Sequence, residues 1–252
     1  GTDEEKIDQL WATLLKLCRI EGIEAKDTYR HHMAKLRRRR EAINKLDLKA
    51  LRYTCENGTD LLLELPEGHI WQGGEEASKD GTIFNANIPT EEIFSAPQYN
   101  GVNGIVYSTK PLIYHGNTIS DFSFTFKEGK IVEYTAKEGY EVLKELVETD
   151  EGSHYLGEVA LVDHFSPISQ SNQIFYETLF DENASCHLAI GASYPTCLKN
   201  SDGLSDEELK ERGLNHSLTH VDFMIGHEHM NIKGYTRDGQ EVDIMIDGRL
   251  QV

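Results

Sequence analysis

Cysteine is scarce and widely spaced in this sequence. The four cysteines, Cys18, Cys55, Cys186 and Cys197, form no C-x-x-C pair, so neither a zinc knuckle nor a dense disulfide framework can be recognised. Long apolar runs are also absent: no stretch approaches the ~18 residues of a membrane span, and no basic and then apolar leader precedes the first helix-like segment. We therefore predict a protein of the reducing cytoplasm without a membrane partner.

Positive charge is in the minority. The 25 lysines and arginines are outnumbered by 43 acidic residues, which gives a formal net charge of −18. The average field of such a chain repels nucleic acids and anionic membranes, so we predict no nucleic-acid partner. Carboxylates are, on the other hand, common ligands of divalent cations.

Several familiar catalytic motifs are missing. The sequence contains no G-x-S-x-G, no H-E-x-x-H, no P-loop and no G-x-G-x-x-G. It therefore lacks the motifs that would indicate a serine hydrolase, a zincin or a nucleotide-binding fold. The H-E-H run from His227 to His229 has no neighbouring residues that would complete a coordination sphere. It indicates a solvated turn near the end of a strand.

The first 46 residues predict two helices. Thr2 and Glu5 form a capping box, and apolar residues follow at helical spacing until Gly22. We expect this first helix to bury its apolar stripe, which consists of Ile7, Leu10, Trp11, Leu14, Leu15 and Cys18. A second helix is expected over residues 27–46. Its four arginines, 37–40, point all round a helix and favour a solvated or acid-facing surface over a phosphate-binding patch.

From Leu48 onward, short strand-like runs alternate with Gly, Asn and Pro. Phe122, Phe124 and Phe126 alternate with polar residues before the turn K-E-G-K, which predicts a hairpin with one buried face. Helices are expected over 137–147 and within 167–180, the latter capped by a serine or asparagine. Taken together, these segments predict an α+β fold. Two leading helices precede a mostly antiparallel β-sheet with flanking helices.

Acidic residues and histidines stand in otherwise apolar or turn-forming segments, where a buried charge is costly unless it is paired or bound to a cation. Glu158 precedes an apolar strand, and His220 and Asp222 share one face of an extended strand. Each alone is compatible with a capped or solvated strand end. Together they predict one or two divalent ions of the zinc, cobalt or manganese kind. The candidates are Glu91, Glu92, Glu158, Glu182, His187, His220 and Asp222.

Two such ions would lower the pKa of a shared water and polarise a carbonyl for attack, so hydrolysis is the natural outcome. The residues alone leave a peptidase and a dinuclear phosphoesterase as alternatives. A phosphoesterase requires basic residues near the carboxylates, and these segments contain almost none.

Four segments resemble the M29 family of metallo-aminopeptidases, the group of aminopeptidase T, aminopeptidase S and PepS. In chain order they are NIPTEEIFSAP, TDEGSHYLGEVALV, SPISQSNQIFYETLFDENASCHLAIG and THVDFMIG, and the likeness runs over essentially the whole chain. The resemblance implies a hydrolase with two divalent metal ions. It would cleave the N-terminal peptide bond of peptides with a free N-terminus by a metal-bridged water. It also implies a homodimer.

The same resemblance implies roles for individual residues. Tyr194 and Glu92 would be catalytic, with Glu91 as the alternative to its neighbour. The implied metal ligands are Glu92, Glu158, Glu182, His187, His220 and Asp222. Because family members are longer at the N-terminus, residues 1–252 are expected to be a catalytic domain that lacks a preceding domain. A metal-binding or dimerising fragment without activity of its own is the remaining alternative.

Overall fold

The computed structural model describes residues 1–252, apart from the side chain of Thr178. The α-helices among these residues are α1 (Asp3–Leu17), α2 (Ala25–Lys45), α3 (Tyr140–Val147), α4 (Pro167–Ser171), α5 (Thr178–Glu182) and α6 (Asp206–Glu211). Two short 3₁₀ helices span Gly152–His154 and Pro195–Cys197. None of the described helices has the length and apolar character needed to cross a bilayer.

The strands form two large and two small sheets, all antiparallel. They are β1 (Leu48–Thr54), β2 (Asp60–Glu64), β3 (Glu75–Ala77), β4 (Ile83–Asn85), β5 (Glu92–Ser95), β6 (Val102–Tyr107), β7 (Leu112–Tyr114), β8 (Asn117–Ile119), β9 (Ser123–Lys127), β10 (Lys130–Thr135), β11 (Leu156–Val162), β12 (His187–Gly191), β13 (His220–Met224), β14 (Asn231–Thr236), β15 (Glu241–Ile246) and β16 (Arg249–Leu250). The eight-stranded sheet has the order β10-β9-β6-β2-β1-β14-β15-β16, and the four-stranded sheet the order β13-β12-β11-β5. The predicted α+β fold with mostly antiparallel sheet is confirmed.

The main core lies between the two large sheets. Strand β13 shows how they are joined: Phe223 is fully buried, and its ring centroid lies 5.1 Å from that of Phe124 on β9. Side chains of α2 and α3, such as Ile43 and Leu146, belong to the same core. Edge-to-face aromatic pairs of this kind fix the relative position of packed sheets beyond what area burial alone provides. The four-stranded sheet is therefore anchored by one face.

Helix α1 contradicts the expectation of a buried stripe. Its capping box of Thr2 and Glu5 is present, but Ile7, Leu10 and Trp11 are 55%, 53% and 59% exposed. The helical period placed these residues correctly on one face, yet no other described element of the chain covers its N-terminal part. Burial begins only at the end of the helix, where Leu17 is 5% exposed.

Three of the four arginines at 37–40 on α2 contact acidic or carbonyl groups, and the fourth, Arg38, is exposed. Arg37 pairs with Glu75 at 3.2 Å, and Arg40 donates to the carbonyl oxygens of Gly73 and Glu75. Arg39 is buried and donates to Asp163 at 2.6 Å. The acid-facing interpretation is confirmed, because these guanidinium groups tie α2 to the rest of the chain.

Two local predictions have different outcomes. The hairpin of β9 and β10 is confirmed, with Glu128 and Gly129 both at positive φ in the turn, as a right-handed strand twist favours. The helix expected within 167–180, with its cap just before Ile174, is wrong, because residues 173–177 are not helical. Asn172 adopts a left-handed conformation (φ 53°) and ends α4, which Ser166 caps, and a separate short helix, α5, follows. Asparagine tolerates this conformation better than most residues.

Candidate metal centre

The four-stranded sheet presents acidic and imidazole groups on one face. Successive side chains of a strand point to opposite faces, and directly paired residues point to the same face. The register pairs Glu158 with Ala189 and Ala189 with Asp222. His187 pairs with Ala160, two residues beyond Glu158, and His220 lies two residues before Asp222. All four polar side chains therefore emerge on the face opposite the main core.

Strand β5 contributes Glu92 to that face. Ala160 is paired with both Phe94 and His187, and Glu92 lies two residues before Phe94. Glu91 directly precedes β5 and belongs to neither of the clustered groups of ligand atoms. Its carboxylate is paired with Arg19 at 2.8 Å. Of the two neighbouring glutamates, Glu92 is the one that the structure brings to the cluster.

Glu158 lies at the centre of the cluster. Its Oε1 is 3.6 Å from His187 Nε2, and its Oε2 is 3.5 Å from His220 Nε2. Two groups of ligand atoms within 4.8 Å of one another result, Glu92–Glu158–His187 and Glu158–His220–Asp222. The Glu158 carboxylate belongs to both groups.

Both histidines are oriented by backbone carbonyl groups. His187 Nδ1 lies 3.0 Å from the carbonyl oxygen of Ser185, and His220 Nδ1 lies 2.7 Å from that of Ala192. A carbonyl oxygen only accepts, so Nδ1 carries the proton and donates it in both rings. In the neutral tautomer, each Nε2 then presents a lone pair to the carboxylates. This is the usual orientation of a metal-binding histidine with its supporting hydrogen bond.

Carboxylate oxygens in the cluster lack donors. Among the described residues, the buried atoms Glu92 Oε2 and Asp222 Oδ1 accept no hydrogen bond, although His187 Nε2 lies 3.0 Å from Glu92 Oε2. Acceptors that face acceptors in a buried site need a proton or a cation between them. The donor set of carboxylate oxygens and imidazole nitrogens suits borderline dications such as zinc, cobalt or manganese. The residues present therefore fit a divalent metal.

The pKa values of the cluster residues are shifted by burial and by the neighbouring carboxylates. Burial raises the pKa of Glu158 to about 7, with the carboxylates of Glu92 and Asp222 adding to the effect. Burial and the same two neighbours raise the pKa of Glu182 to about 8. Burial opposes protonation of His187, but the nearby carboxylates outweigh it and raise its pKa well above the ordinary value. The cluster strongly attracts positive charge.

A cavity of about 260 Å³ opens onto this face and contains Glu182 and Tyr194 as well as the strand residues. Glu182 is the last residue of α5 and lies outside the two ligand groups. Tyr194 is 49% exposed, and its ring centroid lies 4.9 Å from that of His220. Burial and the surrounding carboxylates raise the pKa of Tyr194 to about 12, so its hydroxyl group stays a hydrogen-bond donor at neutral pH.

Other residues of the cavity were missed by the sequence analysis. Glu76, Asn87, Phe94 and Thr196 line the same space. Only Phe94 carried a usable signal, because it lies two residues after Glu92 and so shares its strand face. The others come from a short strand, a loop and a short 3₁₀ helix, and no periodicity in the sequence connects them to the cluster.

Comparison with known proteins identifies the family of the chain. The family model described as thermophilic metalloprotease (M29) matches residues 1–250. The chain belongs to the M29 family. M29 relatives include Aminopeptidase 2 of Geobacillus stearothermophilus, 50% identical over 246 residues, which are 98% of this chain and 59% of that protein. Aminopeptidase AmpS of Bacillus subtilis is 50% identical over 247 residues, 98% of this chain and 60% of the relative.

A solved M29 structure has the same fold. Wild-type AmpT from Thermus thermophilus matches with a TM-score of 0.90 and 39% identity, and the match covers 100% of this chain and 61% of that one. The chain thus spans about three fifths of the length of the M29 relatives it matches. The resemblance in the four sequence segments is confirmed at the level of the family.

Proposed function

We propose that this chain is the catalytic part of an aminopeptidase that binds two divalent metal ions. The observation that carries the proposal is the pair of three-residue ligand groups that share Glu158 on one sheet face. In the proposal, Glu92, Glu158, Glu182, His187, His220 and Asp222 hold the ions. When bound, two such ions supply positive charge that lowers the pKa of a water and polarises a scissile carbonyl.

The charge of the cavity favours a peptide over a phosphate ester. None of its described lining residues is lysine or arginine, and Glu76 adds a carboxylate beyond the proposed ligands. Four ligand carboxylates balance the charge of two dications, so Glu76 leaves the cavity net negative. A cationic α-amine is attracted to such a site and a phosphate is repelled. This supports peptides with a free N-terminus as substrates and counts against the phosphoesterase alternative.

We assign proton transfer to Glu92 and stabilisation of negative charge to Tyr194. Glu92 Oε2 is a buried acceptor that faces the cavity without a donor. It is placed to take a proton from the attacking water and to deliver it to the leaving amine. The Tyr194 hydroxyl group donates a hydrogen bond to the oxygen of the tetrahedral intermediate.

The first test is elemental analysis of the chain after loading with zinc or cobalt and removal of free ion, with leucine-anilide hydrolysis assayed on the same sample. We expect about two ions per chain, together with turnover. Bound ions without turnover would favour a metal-binding fragment without activity of its own. A chain that retains no ion would contradict the proposed site.

The role of Tyr194 predicts a selective effect. Replacing Tyr194 with phenylalanine removes one donor to the intermediate, and we expect kcat to fall by about 10²-fold. The apparent affinity for zinc should not change, because the tyrosine lies outside both ligand groups. Steady-state kinetics and a metal-binding titration on the same preparation check this. An equal loss of kcat and of metal affinity would make Tyr194 a ligand or a structural residue.

Two further features of the proposal come from the resemblance and from composition. A homodimer is proposed from the resemblance. Light scattering on the purified chain tests it, because a homodimer has twice the mass of one chain. A cytoplasmic location agrees with Cys18, Cys55, Cys186 and Cys197, all of which are free thiols in the described structure.

A further inference from the structure

Glu91 is held by a bidentate ion pair. Arg19 Nε donates to Glu91 Oε1 at 3.0 Å, and Arg19 Nη2 donates to Glu91 Oε2 at 2.9 Å. The Glu91 side chain is 6% exposed, and that of Arg19 is 26% exposed. Two parallel charge-assisted hydrogen bonds fix both the distance and the plane of a carboxylate. Glu91 therefore has little freedom to rotate.

The backbone of Arg19 adopts an uncommon conformation. Its φ angle is +60°, in the left-handed region that residues with a bulky side chain rarely occupy. Arg19 directly follows the end of α1, where Leu17 and Cys18 are buried. A left-handed residue at this position commonly ends a helix, and here the Arg19 N–H donates to the carbonyl oxygen of Lys16. Here the turn directs the guanidinium group towards Glu91.

A second contact joins Glu91 to the segment that carries Glu182. The Glu91 N–H donates to Asn183 Oδ1 at 2.7 Å. Asn183 is fully buried, and its Nδ2 donates to the carbonyl oxygen of Leu179 within α5. The direct chain neighbours of two proposed ligands, Glu92 and Glu182, are thus bonded to each other.

We propose that Arg19 is a positioning residue for the metal centre. It fixes Glu91, and through the peptide group of Glu91 and the side chain of Asn183 it sets the positions of Glu92 and Glu182. Glu91 directly precedes β5, so holding its side chain and its N–H fixes the peptide group that leads into Glu92. This inference rests on the proposed function, because it requires Glu92 and Glu182 to bind metal. Supporting contacts of this kind commonly govern metal affinity.

The test compares Arg19→Gln with a matched control, Arg52→Gln. Arg52 forms a bidentate pair with Asp60 at 2.9 Å for both hydrogen bonds, but on the exposed surface of β1 and β2. We expect Arg19→Gln to weaken zinc binding, measured by competition with a chelator, by about 10-fold to 100-fold. The visible spectrum of the cobalt-loaded chain should change as well. Arg52→Gln should match the parent chain in both measurements.

Glu91→Gln tests the same connection without altering the turn at Arg19. It keeps the side-chain shape and the N–H that Asn183 accepts, but it loses the charge and one of the two oxygens that accept from Arg19, so it should weaken zinc binding in the same way. If Arg19 acts through Glu91, the effects of the two substitutions should not add. The double variant should then have the same zinc affinity as the single variant that binds zinc more weakly. Circular dichroism of the metal-free variants checks that each is folded.

The outcomes separate this inference from the proposed function. A parent chain that binds two ions, with Arg19→Gln and Glu91→Gln binding equally well, would overturn the positioning role and leave the proposed function intact. An Arg19→Gln chain that fails to fold while Glu91→Gln binds normally would also overturn it. A parent chain that binds no zinc would refute the proposed function, and the positioning role with it.

Discussion

Replacing Glu92 with glutamine is expected to lower kcat for leucine-anilide hydrolysis by about 10³-fold without unfolding the chain. Glutamine keeps the size of the side chain and an oxygen that can approach a cation, but it cannot accept and return a proton at Oε2. Steady-state kinetics on the zinc-loaded variant, with its metal content measured in parallel, checks this. Glu133→Gln provides a matched control, because Glu133 is an exposed glutamate on the distant strand β10.

Two other outcomes would change the assignment. Normal turnover with a full complement of metal would move the proton transfer from Glu92 to Glu182, the other carboxylate of the cavity that lies near the ligand groups. Loss of metal together with turnover would make Glu92 a ligand without a separate role in proton transfer.

Removing divalent ions is expected to abolish hydrolysis and to destabilise the fold. The metal-free cluster retains buried carboxylate oxygens that accept no hydrogen bond among the described residues, and charges left in this state oppose folding. At a free zinc concentration about 1,000 times Kd, binding to one site adds about 4 kcal/mol to the free energy of unfolding. For a chain of this size, we expect the thermal midpoint to rise by about 10 °C.

The matched variant for this experiment is Glu158→Gln. Glu158 belongs to both ligand groups, so its loss should remove most of the zinc-dependent rise in the midpoint, as measured by calorimetry with zinc and with chelator. Equal midpoints for the parent chain under both conditions would contradict a structural contribution of the metal. A full zinc-dependent rise in Glu158→Gln would contradict the bridging position of that carboxylate.

The residues that the structure brings together from the strands could be selected from the sequence, whereas the residues around them could not. His220 and Asp222 share a face because the side-chain period of a strand is two, and that rule holds without any knowledge of the neighbouring strands. The choice between Glu91 and Glu92 depends on which face of β5 meets the core. That follows from pairing with β11, which is far away in sequence.

Long-range contacts account for the other differences. The pair of Arg19 with Glu91 spans 72 positions, and nothing in the local pattern at Arg19 indicates it. In α1, periodicity correctly predicted one apolar face but could not predict whether another element covers it. The break between α4 and α5 depends on a single left-handed residue, Asn172, in a segment whose apolar spacing alone favours a continuous helix.

The order of the four-stranded sheet also bears on how the chain folds. Strands β11, β12 and β13 are neighbours in sequence order, whereas β5 is separated from β11 by β6 to β10 and α3. Closing so long a loop is slower than forming contacts between neighbouring strands. A folding intermediate in which β5 has not yet docked contains Glu158, His187, His220 and Asp222 but not Glu92. Under the proposed ligand set, the group of Glu158, His220 and Asp222 would therefore assemble before the group that needs Glu92, so the two metal sites would form in a fixed order as the chain folds.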